Sequence, residues 1–309
     1  MDISDLWPGL EVALGRQRYR ILEGPVLSRT GRIGHLSMTY APLGFARPEV
    51  YRARTLRGRD RTVALKVARR EAHSWLRVEY EALRRLRRAD LAPRPLHGIR
   101  PYGGLSVLAM EWLKPQEWYP LTERLDDWHT ELPDQNAFAK VLLYAVQRLH
   151  AAGVAHGDLT DTNIFVSEDW ARVRFIDFGL SMVGRFPRRG HGGTVGFSAP
   201  ELATQTRELD LLQMQRADIY AACAVLYYLE TEECYPLHGP VYRDLKRTGA
   251  ARSYEDAVCS AAEQRLRRGV DWELRQVLLD GLRAQSDKRP PIEELLRRLK
   301  AGGARLPLA

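Results

Sequence analysis

The chain has 309 residues, 45% of them hydrophobic, and a net charge of +8. That is enough apolar matter for one large domain or two lobes, and it excludes global disorder. The longest apolar run, Tyr220–Leu229, is too short to span a bilayer. Cys223, Cys234 and Cys259 lack the close spacing of a metal site or a disulfide framework. Met1–Leu10 carries Asp2 and Asp5 and no basic stretch, so no signal peptide is expected and a reducing, cytoplasmic setting is.

The positive charge is unevenly placed. Residues 47–100 hold 16 Lys and Arg against 6 Asp and Glu, whereas residues 101–309 hold 26 against 29. Such a segment can attract an acidic or nucleic-acid partner. Solvated helix faces are the more ordinary explanation, and no aromatic residues interleave with these arginines as stacking platforms would require.

Residues 1–34 read as an N-terminal extension of unclear role, with Tyr19–Leu27 strand-like and Arg29-Thr30-Gly31-Arg32 a turn. Residues 35–70 read as β-rich, with strands at Leu36–Tyr40, Glu49–Ala53 and Thr62–Val67. The last two are joined by Arg57-Gly58-Arg59-Asp60, a turn composition. A helix follows over 72–88, where Trp75, Ala82, Leu83 and Leu86 recur at helical spacing. Glu79 falls on the same stripe, and an inward carboxylate needs a partner. Lys66 is the nearest candidate; a solvent-facing lysine on an edge strand is the ordinary alternative. Leu105–Leu113 reads as a strand, Lys114–Pro120 as a boundary. A second helix over 136–152 places Phe138, Val141, Leu142, Ala145 and Leu149 on one face and stops at Gly153.

The densest chemistry lies between residues 156 and 179. His156-Gly157-Asp158 is followed by Asn163, the strand-like Ile164–Val166, and then Asp177-Phe178-Gly179 after the apolar run Val173–Ile176. Two Asx turns beside a hairpin would account for parts of this. The whole supplies what phosphoryl transfer needs: a carboxylate for a hydroxyl proton and hard oxygen ligands for Mg²⁺. Downstream come Gly193-Thr194-Val195-Gly196-Phe197-Ser198-Ala199-Pro200-Glu201, Asp218 opening the apolar run Ile219–Leu229, and Arg289 in Asp287-Lys288-Arg289-Pro290.

In this order the motifs resemble those of the protein kinase superfamily, of the bacterial eukaryotic-like Ser/Thr type, over about residues 36–300. The resemblance implies an α+β, bilobal fold: a small antiparallel β lobe with one main helix over 35–111, a larger, mainly helical lobe over 112–300, and a tail over 301–309. It implies Asp158 as the catalytic base, Lys66 on the α/β-phosphates with Glu79 as its ion-pair partner, and Thr194 in contact with Asp158. Asn163 and Asp177 would hold Mg²⁺, with Mn²⁺ as an alternative. ATP would meet Gly44 in the phosphate-covering loop, Val50, Ala64, the gatekeeper Met110, the backbone of Glu111 and Leu113, and Phe165 beneath adenine. Asp218 would tether the catalytic loop, and Arg289 would pair with Glu201.

The sequence departs from the family pattern in three places. The glycine-rich loop keeps only Gly44 if it spans Leu43–Glu49, while Gly31 and Gly34 offer a second register. Gly157 replaces an arginine that binds a phosphorylated activation loop in many kinases. Thr160 replaces a lysine that steadies the γ-phosphate; Arg185, Arg188 and Arg189 could compensate. The expected function is ATP- and Mg²⁺-dependent transfer to Ser/Thr hydroxyls of a protein. The alternatives are a small-molecule phosphotransferase of the aminoglycoside-kinase type, which His156-Gly157-Asp158 resembles well, and a pseudokinase scaffold.

Overall fold

A computed structural model describes residues 3–25, 48–125, 127–128, 134–184, 193–204, 209–249, 251–266 and 269–299. The first part of the chain forms β1 (Glu11–Leu14), β2 (Gln17–Glu23), β3 (Glu49–Thr55), β4 (Thr62–Ala68), helix α1 (His73–Leu86), β5 (Arg100–Tyr102) and β6 (Leu105–Glu111). The six strands make one antiparallel sheet in the order β1-β2-β3-β4-β6-β5. Strand alternation divides β4 between two environments. Val63, Leu65 and Val67 join Tyr19, Ile21, Tyr51 and Val107 in one apolar core. Ala64 and Ala68 face the larger core shared with α1 and Met110.

The start of the chain, read as an extension, contributes β1 and β2 to this sheet. Tyr19 and Ile21 point inward on β2 while Arg18 and Arg20 point out, the period-2 pattern of a half-buried strand. The expected strand over Tyr19–Leu27 thus ends at Glu23. The sheet curls until its two edges approach: Tyr102 Oη on β5 donates to the Glu11 carbonyl on β1. The segment between β2 and β3 holds Gly31, Gly34, Leu36–Tyr40 and Gly44, all outside the described residues.

The rest of the chain forms β7 (Tyr119–Pro120), α2 (Gln135–Ala151), β8 (Val154–Ala155), β9 (Ile164–Val166), β10 (Val173–Phe175) and β11 (Met182–Val183). Helices α3 (Pro200–Thr204), α4 (Leu211–Thr231), α5 (Gly239–Thr248), α6 (Ala251–Leu266), α7 (Trp272–Gly281) and α8 (Ile292–Arg298) follow. α2 buries Phe138, Leu142, Ala145 and Leu149 as the pattern predicts. α4 is almost wholly buried from Ala217 to Leu229. It begins earlier than expected, because Asp210 and Gln213 form a reciprocal capping box that satisfies two first-turn N–H groups. Asp218 therefore lies inside the helix instead of opening it.

Candidate active site

Lys66 sits on β4 and Glu79 on α1, and both are buried. Lys66 Nζ lies 2.6 Å from Glu79 Oε2 and 2.7 Å from Asp177 Oδ1. Burial opposes the lysine's charge, but Asp177 and Glu79 outweigh it and hold Lys66 above the usual lysine range. Burial pushes Glu79 up, against the pull of Lys66 and of the Phe178 backbone N–H, which donates to it. Asp177 is held low, chiefly by Lys66. Its side chain is 55% exposed, and its backbone takes the left-handed conformation at φ 61°, which turns the chain sharply after β10.

The catalytic-loop candidates are fixed by backbone contacts. Asp218 accepts from the N–H groups of His156 at 2.7 Å and Gly157 at 2.8 Å, and it meets His150 Nε2 at 3.0 Å. His156 Nε2 faces the Ile176 carbonyl at 2.9 Å, and its Nδ1 receives the Asp158 N–H at 3.3 Å. A carbonyl can only accept and an amide N–H only donate, so this pairing selects the tautomer with its proton on Nε2. The Ile176 N–H donates to the Asn163 carbonyl at 3.0 Å, binding the two loops together.

Asp158 Oδ1 accepts from both the N–H and the hydroxyl of Thr194, each at 2.8 Å. Among the described residues Oδ2 accepts no hydrogen bond, so it is the oxygen left to take a proton. Burial raises the Asp158 carboxyl, and the two Thr194 bonds oppose that rise. Asn163 Nδ2 donates to the Asp158 carbonyl at 2.9 Å, which leaves its Oδ1 as a hard donor. Among the described residues no cluster of His, Cys, Asp and Glu could hold a metal alone. One exposed carboxylate and one amide oxygen instead fit a divalent cation that takes its remaining ligands from phosphate and water, as Mg²⁺ does.

The candidate adenine site is assembled by β-register. Val50 lies opposite Lys66, and Ala64 lies opposite Met110. Val50, Ala64 and Met110 belong to the same apolar cluster. Leu113 is half-buried beyond β6, and Phe165 is half-buried on β9. Glu111 carries more than a backbone role. Its carboxylate accepts from Arg174 Nη1 at 3.1 Å and from the Arg94 N–H at 3.1 Å. Arg174 also pairs with Asp90 and lies 4.6 Å from the Trp118 ring centre. Sequence reading missed Arg174: its only signal is a lone charge inside the apolar run Val173–Phe175, and its partner is 63 residues away.

Thr160 departs from its expected place. Its hydroxyl meets that of Thr162 at 2.9 Å and accepts from the Asn163 N–H at 3.2 Å, and the residue is 1% exposed. It closes the loop upon itself and is not presented to a phosphate. Arg185, Arg188 and Arg189, read as compensating charges, lie outside the described residues. Arg289 pairs bidentately with Glu201 at 2.6 and 2.8 Å, both buried, and stacks 4.8 Å from the Tyr220 ring centre.

A two-lobed molecule with a lysine–glutamate pair over paired acidic loops is the architecture of a phosphotransferase. Residues 47–299 match the family described as protein kinase domain, and the chain belongs to that family. Members of the family use ATP with a divalent cation. Among curated relatives, mitogen-activated protein kinase HOG1 of Ustilaginoidea virens is 32% identical over 153 residues, 48% of this chain and 38% of that protein. HOG1 of Hortaea werneckii is 30% identical over 130 residues, 39% of this chain and 35% of that protein. The similarity thus spans little more than a third of the length of the relatives it matches. No helix among the described residues is long and apolar enough to cross a membrane.

Proposed function

We propose that this chain transfers the γ-phosphoryl group of ATP to Ser or Thr hydroxyls of a protein, with the small lobe ending near residue 111 and the large lobe beginning at 112. The observation that carries this reading is Asp158: one oxygen is engaged by Thr194, the other is open, and Lys66 lies salt-bridged to Asp177 beside it. Lys66, steadied by Glu79, holds the α/β-phosphates. Asn163 and Asp177 hold the divalent cation, Mg²⁺ in our reading, whose charge offsets that of the phosphates when bound. Val50, Ala64, Met110, Leu113 and Phe165 enclose adenine, with Gly44 in the loop above and backbone groups of Glu111 and Leu113 on its polar edge. Asp158 Oδ2 orients the acceptor hydroxyl and takes its proton late, as the oxygen–phosphorus bond forms and the bond to the leaving diphosphate breaks. Thr194 fixes the Asp158 rotamer and narrows the acceptor to an aliphatic hydroxyl.

Protein over small-molecule acceptor is supported by the Thr194–Asp158 contact and the buried Glu201–Arg289 pair, which anchor residues 193–201 as a peptide platform. The pseudokinase reading is disfavoured because five buried or polar groups converge without a structural need for all of them. The bacterial eukaryotic-like type and a cytoplasmic setting belong to the same proposal. The test compares label transfer from ATP by the wild-type chain and Asp158→Ala, with a generic protein acceptor and a panel of small hydroxylic acceptors. The expected result is label on protein, reduced about 10²–10⁴-fold in the variant while Mg-ATP binding persists. Equal transfer by the variant overturns the mechanism; transfer to small acceptors alone overturns the substrate class.

A further inference from the structure

Beside the segment that joins the lobes lies a cleft of about 1340 Å³. Its lining includes Arg52 and Thr62, on the same face of the sheet as Ala64, but none of Val50, Ala64, Lys66, Met110 or Asp158, so it adjoins the catalytic side without containing those residues. Its walls come from both lobes and carry nine Arg or Lys side chains against three acidic ones. All three acids are already engaged: Glu111 by Arg94 and Arg174, Asp60 by Arg54, Glu117 by Lys114. Arg59, Arg61, Arg87, Arg88 and Arg172 line the cleft and form no salt bridge among the described residues. In the floor, Arg174 is 5% exposed and its Nε has no acceptor. Uncompensated cations gathered in one concavity repel one another and focus a positive potential that an anion would relieve.

The aromatic rings decide which anion. Arg174 and Arg172 lie 4.6 and 5.0 Å from the Trp118 ring centre, and Arg52 lies 5.9 Å from that of Trp112. Ring faces that already carry guanidinium groups are poor platforms for stacking bases. A guanidinium resting by its face on an indole still presents its N–H edge, which matches a carboxylate bidentately. We propose that this cleft docks a carboxylate-rich segment of a partner protein, touching both lobes.

The test measures binding to the full chain by fluorescence anisotropy, so its outcome does not depend on whether the chain transfers phosphate. The probe is a fluorescein-labelled peptide of alternating aspartate and glutamate. A serine–glycine peptide of equal length and a single-stranded DNA of equal charge serve as comparisons. The acidic peptide is expected to bind, to weaken with added salt, and to weaken about tenfold in Arg87→Glu/Arg88→Glu. A second pair, Arg61→Glu/Arg172→Glu, reports from both lobes and is expected to act alike. Both variants should keep the wild-type melting temperature and the wild-type rate on an acceptor peptide without acidic residues. Equal binding of the serine–glycine peptide, or of the acidic peptide to the variants, overturns the proposal. Tighter binding of the DNA through the same arginines overturns it in favour of a nucleic-acid partner.

Discussion

Glu201 and Arg289 are both buried and joined by two parallel N–H···O bonds, so each neutralises the other where water cannot. Replacing either one alone strands a buried charge. Arg289→Ala is expected to lower stability by about 3–5 kcal/mol in denaturant unfolding, far more than any exposed arginine of this chain. This pair, like Lys66 with Glu79 and Asp158 with Asn163, was legible in the sequence because its chemistry needs particular side chains at particular spacings. Thr160 was not: whether a hydroxyl caps its own loop or reaches outward depends on one rotamer. The rear face of Glu111 was equally hidden, since Arg174 reaches it only after the chain has folded across 63 residues.

At the level of elements, Gly157 occupies the left-handed region at φ 78°, and a Cβ placed there would stand 2.5 Å from the Leu180 carbonyl oxygen. The short helical turn Phe178–Leu180 therefore packs against the catalytic loop more closely than any residue but glycine at 157 permits. Gly157→Ala is expected to cost about 1–2 kcal/mol from backbone strain alone, with displacement of Leu180 adding to it. Thermal unfolding and label transfer should both fall. On α4, burial pushes the Glu230 carboxyl up to about 7. A carboxyl raised in the folded state contributes stability that is fully present below its unfolded value, about 4.3, and is lost as pH rises through 7. Glu230→Gln is expected to leave the melting temperature unchanged at pH 4 and to raise it at pH 8. The interiors of α1, α2 and α4 were readable from apolar spacing, whereas the start of α4 was set by the less conspicuous Asp210–Gln213 cap. The strand expected over Tyr19–Leu27 is present but runs from Gln17 to Glu23, with Arg18 and Arg20 alternating outward against Tyr19 and Ile21.

Across the whole molecule, the contacts that define a working catalytic arrangement are already closed: Lys66 to Glu79, Asp158 to Thr194, and Asp218 to the catalytic loop. Gly157 offers no cation for a phosphate to engage. Phosphatase treatment is therefore expected to leave the transfer rate unchanged, and a large loss would show that a phosphorylated loop is required. Truncation of residues 1–24 would uncover Tyr51, Val63 and Leu65 beneath β1 and β2. The shortened chain should melt at lower temperature and lose nucleotide affinity, because β3 carries Val50 to the cleft. The approach of β1 to β5 has a separate consequence for solubility. An open sheet ends in rows of unpaired N–H and C=O groups that can template growth onto another molecule. Here each outer strand partly shields the other, and Tyr102 takes up the Glu11 carbonyl that a foreign strand would otherwise find. The curled sheet is thus guarded against edge-to-edge self-association, a liability that would appear at once in a chain shorn of its first strand.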